Sequence, residues 1–168
     1  MLLRADDAMP ERLGFDAHRI APKLYQGSRP PEGTTLAERG FDMVVLTAEE
    51  HQPPSYRFPG VEVVHMGYDD SLRPDPMDIA KAKAAARKVA NALASGKRVL
   101  VTCYMGLNRS GFVSALALYY VSEGKMSGAE AAYLVRTMRP GALRNTTFLG
   151  MVESLPAATR RAPPRRRR

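Results

Sequence analysis

Apolar positions along this chain fall into short blocks of two kinds. "FDMVVLTA" and "RVLVT" are continuous apolar runs, from Phe41 to Thr47 and from Arg98 to Thr102, and "VEVVHM", Val61 to Met66, is a third β-branched run. Blocks this short, rich in valine and bounded by loop-forming residues, predict strands. "RVLVT" is too apolar for an exposed edge and is placed centrally. "HRIAPKLYQGSRP" predicts a short extended segment closed by Gly27, Ser28 and prolines. Elsewhere the spacing is helical. Thr34 to Arg39 suits a short helix ending at Gly40. Met77 to Ser95 suits a long one, with Asp75 as cap, Pro76 in the first turn and Gly96 as stop. Ser110 to Glu123 is a helix ending at Gly124. Ser127 caps the next, with Glu130 completing a capping box, and that helix ends before Pro140. Asn145 caps a last helix running to about Leu155. "HQPPSYRFPG" and Asp69 to Pro76 are loops. Strands alternating with helices predict an α/β layer fold with a largely parallel central sheet.

Composition narrows the class. At 168 residues and 45% hydrophobic content, one domain with a real core is expected, and no repeat is present. Residues 1–17 read as an N-terminal arm, 18–155 as the domain and 156–168 as a disordered Pro/Arg-rich tail. The longest nearly apolar run, Phe112 to Val121, is too short to cross a bilayer. The first residues lead into Arg4 and the acidic pair Asp6 and Asp7, which is no secretory signal. A single cysteine excludes an internal disulfide and fits a reducing compartment, so a soluble cytoplasmic protein is expected. The net charge of +8 invites a nucleic-acid reading, but Arg160, Arg161 and Arg165 to Arg168 carry six of those charges and leave +2 on the rest. Weak contact between the Arg165–Arg168 run and an acidic polymer is the residual use. His18, His51 and His65 form no ligand spacing, so no metal is assigned and no cofactor is expected. The methionines read as packing.

The one cysteine sits in "VLVTCYMGLNRSGF", where a central strand ends. Ligands of open α/β sheets bind at the carboxyl ends of strands. If the segment after Cys103 curls into a helix starting near Ser110, the backbone N–H groups from Tyr104 to Arg109 converge on one centre. The positive end of the helix faces the same point. Such a cradle suits phosphate. Gly106 supplies a residue free to take positive φ, and Arg109 adds a planar fork for two phosphate oxygens. The same field favours the thiolate of Cys103. A nucleophile and an anion cradle around one phosphorus imply covalent phosphoryl transfer, with Ser110 placed to donate to the sulfur as it is released. A buried cysteine acting as apolar filler is the alternative, and the strand, glycine, Ser-Gly and helix around it argue against that.

Cys103, Gly106, Arg109 and Ser110 match the loop Cys-x-x-Gly-x-x-Arg-Ser. In this the chain resembles the cysteine-based protein phosphatases, most closely their small dual-specificity branch. "IAPKLYQGS" resembles the opening strand of that family, "FDMVVLTAEE" its second, and "RPGALRNTTFLGMVESL" its closing helix, so the resemblance covers most of residues 18–155. It implies a mixed, mainly parallel central sheet flanked by helices, with the Cys-x5-Arg phosphate-binding loop between a central strand and a helix. It also implies hydrolysis of phosphotyrosine, and often phosphoserine and phosphothreonine, in proteins through a phosphocysteine. The phosphoprotein substrate would be held by Tyr104, Met105, Gly106, Leu107, Asn108 and Arg109. The leaving group needs a proton, and Asp69 and Asp70 follow a strand whose end emerges on the side of Cys103. The resemblance implies a loop aspartate upstream of the cysteine as general acid; Asp70 fits that place best, and Asp69 is the fallback. Solvated loop residues are the plainer reading of both.

The sequence departs from the family in two places. Thr102 stands where His usually precedes the cysteine. No tryptophan is present, so the Trp-Pro-Asp loop of the larger tyrosine-specific enzymes is absent, and a shallow pocket is expected. Arg139 occupies a place where some relatives hold a second anion, although a helix C-terminal charge meeting its own dipole is the favoured reading. Thr102 motivates a rival function, a phosphate-binding pseudophosphatase. "GLNRSG" is similar to the loop of RNA 5′-triphosphatases and motivates another. Phosphoinositides are disfavoured because the loop contains no lysine.

Overall fold

The computed structural model describes residues 11–158. The Arg165–Arg168 run and most of the arm lie outside the described residues. Strands β1 (Ala17–Ala21), β2 (Leu24–Gly27), β3 (Met43–Ala48), β4 (Glu62–Tyr68) and β5 (Val99–Thr102) form one sheet in the order β1-β2-β5-β3-β4. β1 pairs antiparallel with β2, and all other pairings are parallel. The mixed, mainly parallel sheet is therefore as expected, with β5 at its centre. The helices are α1 (Thr35–Glu38), α2 (Pro76–Ala94), α3 (Arg109–Val121), α4 (Gly128–Met138) and α5 (Thr146–Glu153). Among the described residues, no helix is long and apolar enough to cross a membrane.

Alternation along the strands builds two cores. Met43, Val45, Val99 and Val101 face α2 to α5, whereas Val44, Leu46 and Leu100 face the other side with Leu36, Phe41 and Phe58. That is why β3 and β5 read as unbroken apolar runs: both faces are covered. On the helical side, α2 presents Ala82, Ala85, Ala86 and Val89, all fully buried, at helical spacing. Side chains this small let α2 lie close to α3. Phe112 of α3 and Phe148 of α5 stack with centroids 4.6 Å apart and planes at 4°. An aromatic pair contributes ~0.5–1.5 kcal/mol beyond its area, and this one fixes the start of α5 beside the sheet's carboxyl edge.

Three details differ from the sequence reading. The single extended segment at 18–30 is a hairpin, broken at Pro22-Lys23, where Lys23 takes φ 65° and its ammonium donates to the Gly96 carbonyl at 2.7 Å. Residues 11–17 belong to the packed body. Leu13 is buried, the Phe15 ring lies 6.2 Å from that of Phe41, and Glu11 bonds Tyr25 and Arg98. The apolar face carried by Val44 and Leu100 needs that cover. Helix α3 starts one residue early, at Arg109. Its N-cap residue, Asn108, makes no side-chain cap bond because its side chain is engaged elsewhere.

Candidate active site

The chain leaves β5 at Thr102, and the Cys103 N–H donates to the Gly27 carbonyl at 3.3 Å. The loop then turns over on itself so that the Gly106 N–H donates to Cys103 Sγ at 3.2 Å, with Ser110 Oγ at 3.2 Å from the same sulfur. Gly106 sits at φ 72°, and a Cβ there would come within 2.3 Å of the Gly27 carbonyl carbon and 2.5 Å of Ser28 N. Glycine is thus required twice, for conformation and for space.

The carbonyls from Met105 to Arg109 are all taken from behind. Arg139 donates to Met105 O at 3.1 Å and to Gly106 O at 2.8 Å, and Gln26 donates to Gly106 O at 3.0 Å. The Leu143 N–H reaches Leu107 O at 3.1 Å, Phe112 N–H reaches Asn108 O at 2.8 Å, and the Tyr68 hydroxyl reaches Arg109 O at 2.6 Å. Among the described residues there is no cis peptide. In a trans peptide the N–H points opposite to the carbonyl before it, so the N–H groups of residues 106–110 point away from these contacts, and that of Gly106 meets the sulfur. The first-turn N–H groups of α3, which have no intrahelical acceptor, join them.

Arg109 lies 7% exposed beside this cup. Its two Nη atoms donate to the two carboxylate oxygens of Glu50, and Nη1 also donates to Tyr68 O at 3.2 Å. Its Nε is buried with no partner among the described residues. Glu50 therefore occupies the end of the guanidinium, and on the Nε/Nη2 edge the Nε makes no bond. Burial disfavours the Arg109 charge, but the hydrogen bonds of Glu50 and the nearby Cys103 and Asp70 outweigh it and raise its pKa. The same bonds hold the Glu50 carboxyl below its ordinary range. Tyr68 is fully buried; burial first, and then the Cys103 charge, push its hydroxyl well up, so it remains a donor.

Asp70 stands in the loop after β4, tied to the loop that follows Cys103. Asn108 Nδ2 donates to its Oδ2 at 2.9 Å and Asn145 Nδ2 to its Oδ1 at 2.9 Å. Asn108 Oδ1 in turn accepts from the Asn145 N–H at 2.9 Å. Thr147 Oγ1 donates to Leu72 O at 2.7 Å and holds the same loop against α5. Asp69 has no such tie among the described residues. Asn145, expected as a helix cap, accepts from Thr147 N and Phe148 N at 3.1 Å while its amide group holds Asp70.

Four other positions answer the sequence directly. Thr102 bonds backbone, donating to Val45 O at 3.0 Å across β3 and β5. Arg139, the C-cap residue of α4, has a use that neither reading offered for it includes: its side chain is buried, its Nε and Nη2 hold loop carbonyls, and both Nη atoms grip Asp16 at 2.8 Å. His18 lies 3.0 Å from Arg139 Nη1, His65 bonds Pro53 O at 2.8 Å, and no group of metal-ligating side chains occurs among the described residues. Asp16, Gln26, Glu50 and Tyr68 are site residues that the sequence reading missed. The glutamate pair at the carboxyl end of β3, and a glutamine inside the apolar "LYQG", were the available signals.

Hydrogen bonds from Arg139 hold the Asp16 carboxyl at about 2, against an ordinary 3.8. A depressed folded-state pKa favours folding fully above the ordinary value, and that contribution is lost as pH falls through the depressed one. The melting temperature is therefore expected to drop between pH 3.8 and about 2, and Asp16→Asn should flatten that part of the profile in thermal melts. An unchanged slope would remove Asp16 from the support of the loop.

Residues 24–155 match the catalytic domain family of the dual specificity phosphatases. The chain is a member of the dual specificity phosphatase family. Among solved structures, human DUSP28 is similar over 87% of this chain and 97% of its own, at 26% identity and a TM-score of 0.68. A mouse putative dual specificity phosphatase, crystallised with zinc tungstate, is similar over 91% and 92%, at 26% identity and 0.68. Tk-PTP in its active form is similar over 82% and 96%, at 30% identity and 0.65. The search of curated proteins finds no match.

Proposed function

We propose that the protein hydrolyses phosphotyrosine, and with it phosphoserine and phosphothreonine, in protein substrates through a phosphocysteine, by a route that requires no metal. The observation carrying this is the convergence of Gly106 N–H and Ser110 Oγ, each 3.2 Å from the sulfur, in the same loop as the buried Arg109, whose Nε has no partner among the described residues. Cys103 Sγ attacks phosphorus, and the bond to the substrate oxygen breaks. Asp70 passes its proton to that oxygen, so the product leaves as an alcohol or phenol. Water then attacks the phosphocysteine, Asp70 takes its proton, and the P–S bond breaks to return the sulfur, with Ser110 Oγ donating to it. Charge on the transferring group is met by the Arg109 edge and the N–H groups, which is the work a metal ion would otherwise do.

The test is hydrolysis of an aryl phosphate by the full chain in excess chelator. Turnover that persists in chelator and is blocked by vanadate is expected. A folded protein that binds phosphate and releases no phenol would sink the reading, and loss of turnover in chelator would sink its metal-free form.

A further inference from the structure

Beside the loop that follows Cys103 lies a hollow of about 490 Å³, whose walls include Asp16, Arg29, Glu32, His51, Tyr104 and Met105. Tyr104 and Met105 directly follow the nucleophile in sequence, so this hollow shares a wall with the reacting centre. Its acids are already paired: Asp16 with Arg139 at 2.8 Å and Glu32 with Arg57 at 3.2 Å. Arg29 forms no ion pair among the described residues. Its guanidinium carbon lies 4.4 Å from the centroid of the Tyr104 ring. Three arginines thus meet two carboxylates, leaving one positive charge in excess. A guanidinium held over a ring by its charge still has N–H groups with which to meet an anion.

We propose that this hollow is a subsite for a carboxylate side chain flanking the phosphorylated residue of a protein substrate. The guanidinium of Arg29 binds the carboxylate, and the Tyr104 ring holds it in place. The inference rests on the phosphatase reading of Cys103. A planar guanidinium edge matches two carboxylate oxygens, and an extended peptide advances only ~3.3 Å per residue, so an immediate neighbour of the phosphoresidue reaches the wall formed by Tyr104. Arg139 cannot serve here, since its N–H groups are spent on Asp16 and the loop carbonyls. A phosphoryl group would engage the same edge, so the experiment must separate the two anions.

Phosphotyrosyl peptides carrying Glu, phosphoserine or Ala on either side of the phosphotyrosine are compared by kcat/KM on the full chain. The wild type should prefer Glu over Ala about fivefold, the upper range for an exposed ion pair. The preference should shrink as salt rises, because the Debye length is already about 8 Å at physiological ionic strength. Arg29→Ala should bring the Glu/Ala ratio to about one, and Arg29→Lys should keep only part of it. Because each ratio is internal to one enzyme, a general loss of activity does not mimic the result. Equal rates on Glu and Ala peptides, or a ratio that survives Arg29→Ala, overturn the proposal. So does a phosphoserine preference without a glutamate one, which would assign the hollow to a phosphoryl group. If the wild type turns over neither peptides nor aryl phosphate, the phosphatase reading fails instead. The Glu/Ala ratio is then read from peptide dissociation constants by the same standard.

Discussion

Cys103→Ser is expected to leave a folded protein that binds phosphopeptide and hydrolyses it at the background rate. The substitution is nearly isosteric in a buried position, 4% exposed, and its oxygen inherits both neighbours of the sulfur, the Gly106 N–H and Ser110 Oγ. The cradle depends on hydrogen bonds behind the loop, from Arg139, Gln26, Leu143 and Tyr68 to loop carbonyls, none of which uses the sulfur as a partner. Thermal melts should therefore shift by no more than a few degrees, the effect of about 1 kcal/mol in a domain of this size. Chemistry is another matter. A serine hydroxyl without an adjacent base is a weak nucleophile, and loss of a nucleophile costs on the order of 10³-fold or more in kcat. Steady-state rates, paired with calorimetric binding of a phosphotyrosyl peptide, measure both halves. Acid-quenched wild type should carry phosphate on the peptide containing Cys103. A serine variant retaining turnover within tenfold of wild type would show that the sulfur is not the attacking atom.

How much of this was legible follows from which contacts are local. β3 and β5 announce themselves because both faces are covered, and the loop from Cys103 to Arg109 because cysteine, glycine, arginine and helix start lie within one short segment. The capping box at Ser127 and Glu130 is equally local, and both of its bonds form. What the sequence concealed joins distant elements. Glu50 lies far along the chain from Arg109, and Asp16 is farther still from Arg139. A charged residue at a helix end reads as a dipole partner when only its own helix is in view. Arg139 is instead drawn into the protein because buried loop carbonyls need donors. The hairpin at Lys23 was hidden for a related reason: its positive φ is held by a contact with the Gly96 carbonyl. Asn145 was read correctly as a cap, but a cap oxygen leaves the amide group free, and only the folded chain shows that group turned to Asp70.

Asp70→Asn should separate substrates by their leaving groups. A general acid contributes about 10²- to 10⁴-fold where the departing oxygen needs a proton. Phenol has a pKa of about 10, like tyrosine, so kcat/KM for phenyl phosphate is expected to fall at least 100-fold, by that reckoning. For an aryl phosphate whose phenol leaves readily as the anion, kcat/KM should change little, because that ratio reports only steps through release of the phenol. Its kcat should still fall, since water attack on the phosphocysteine has lost its base. The Asn108 and Asn145 amides, each 2.9 Å from a carboxylate oxygen, make a structural explanation the chief competitor. An amide at position 70 cannot accept from both, so some loosening of the loop is expected. Loosening would lower kcat/KM for both substrates alike, whereas loss of a proton donor lowers kcat/KM only for the one with the basic leaving group. Asn108→Ala supplies the comparison: it removes one of the two bonds to Asp70 and leaves the acid in place. If Asp70→Asn and Asn108→Ala produced the same leaving-group dependence and the same magnitude of loss, Asp70 would be a strut of the loop, and the proton would have to come from another group.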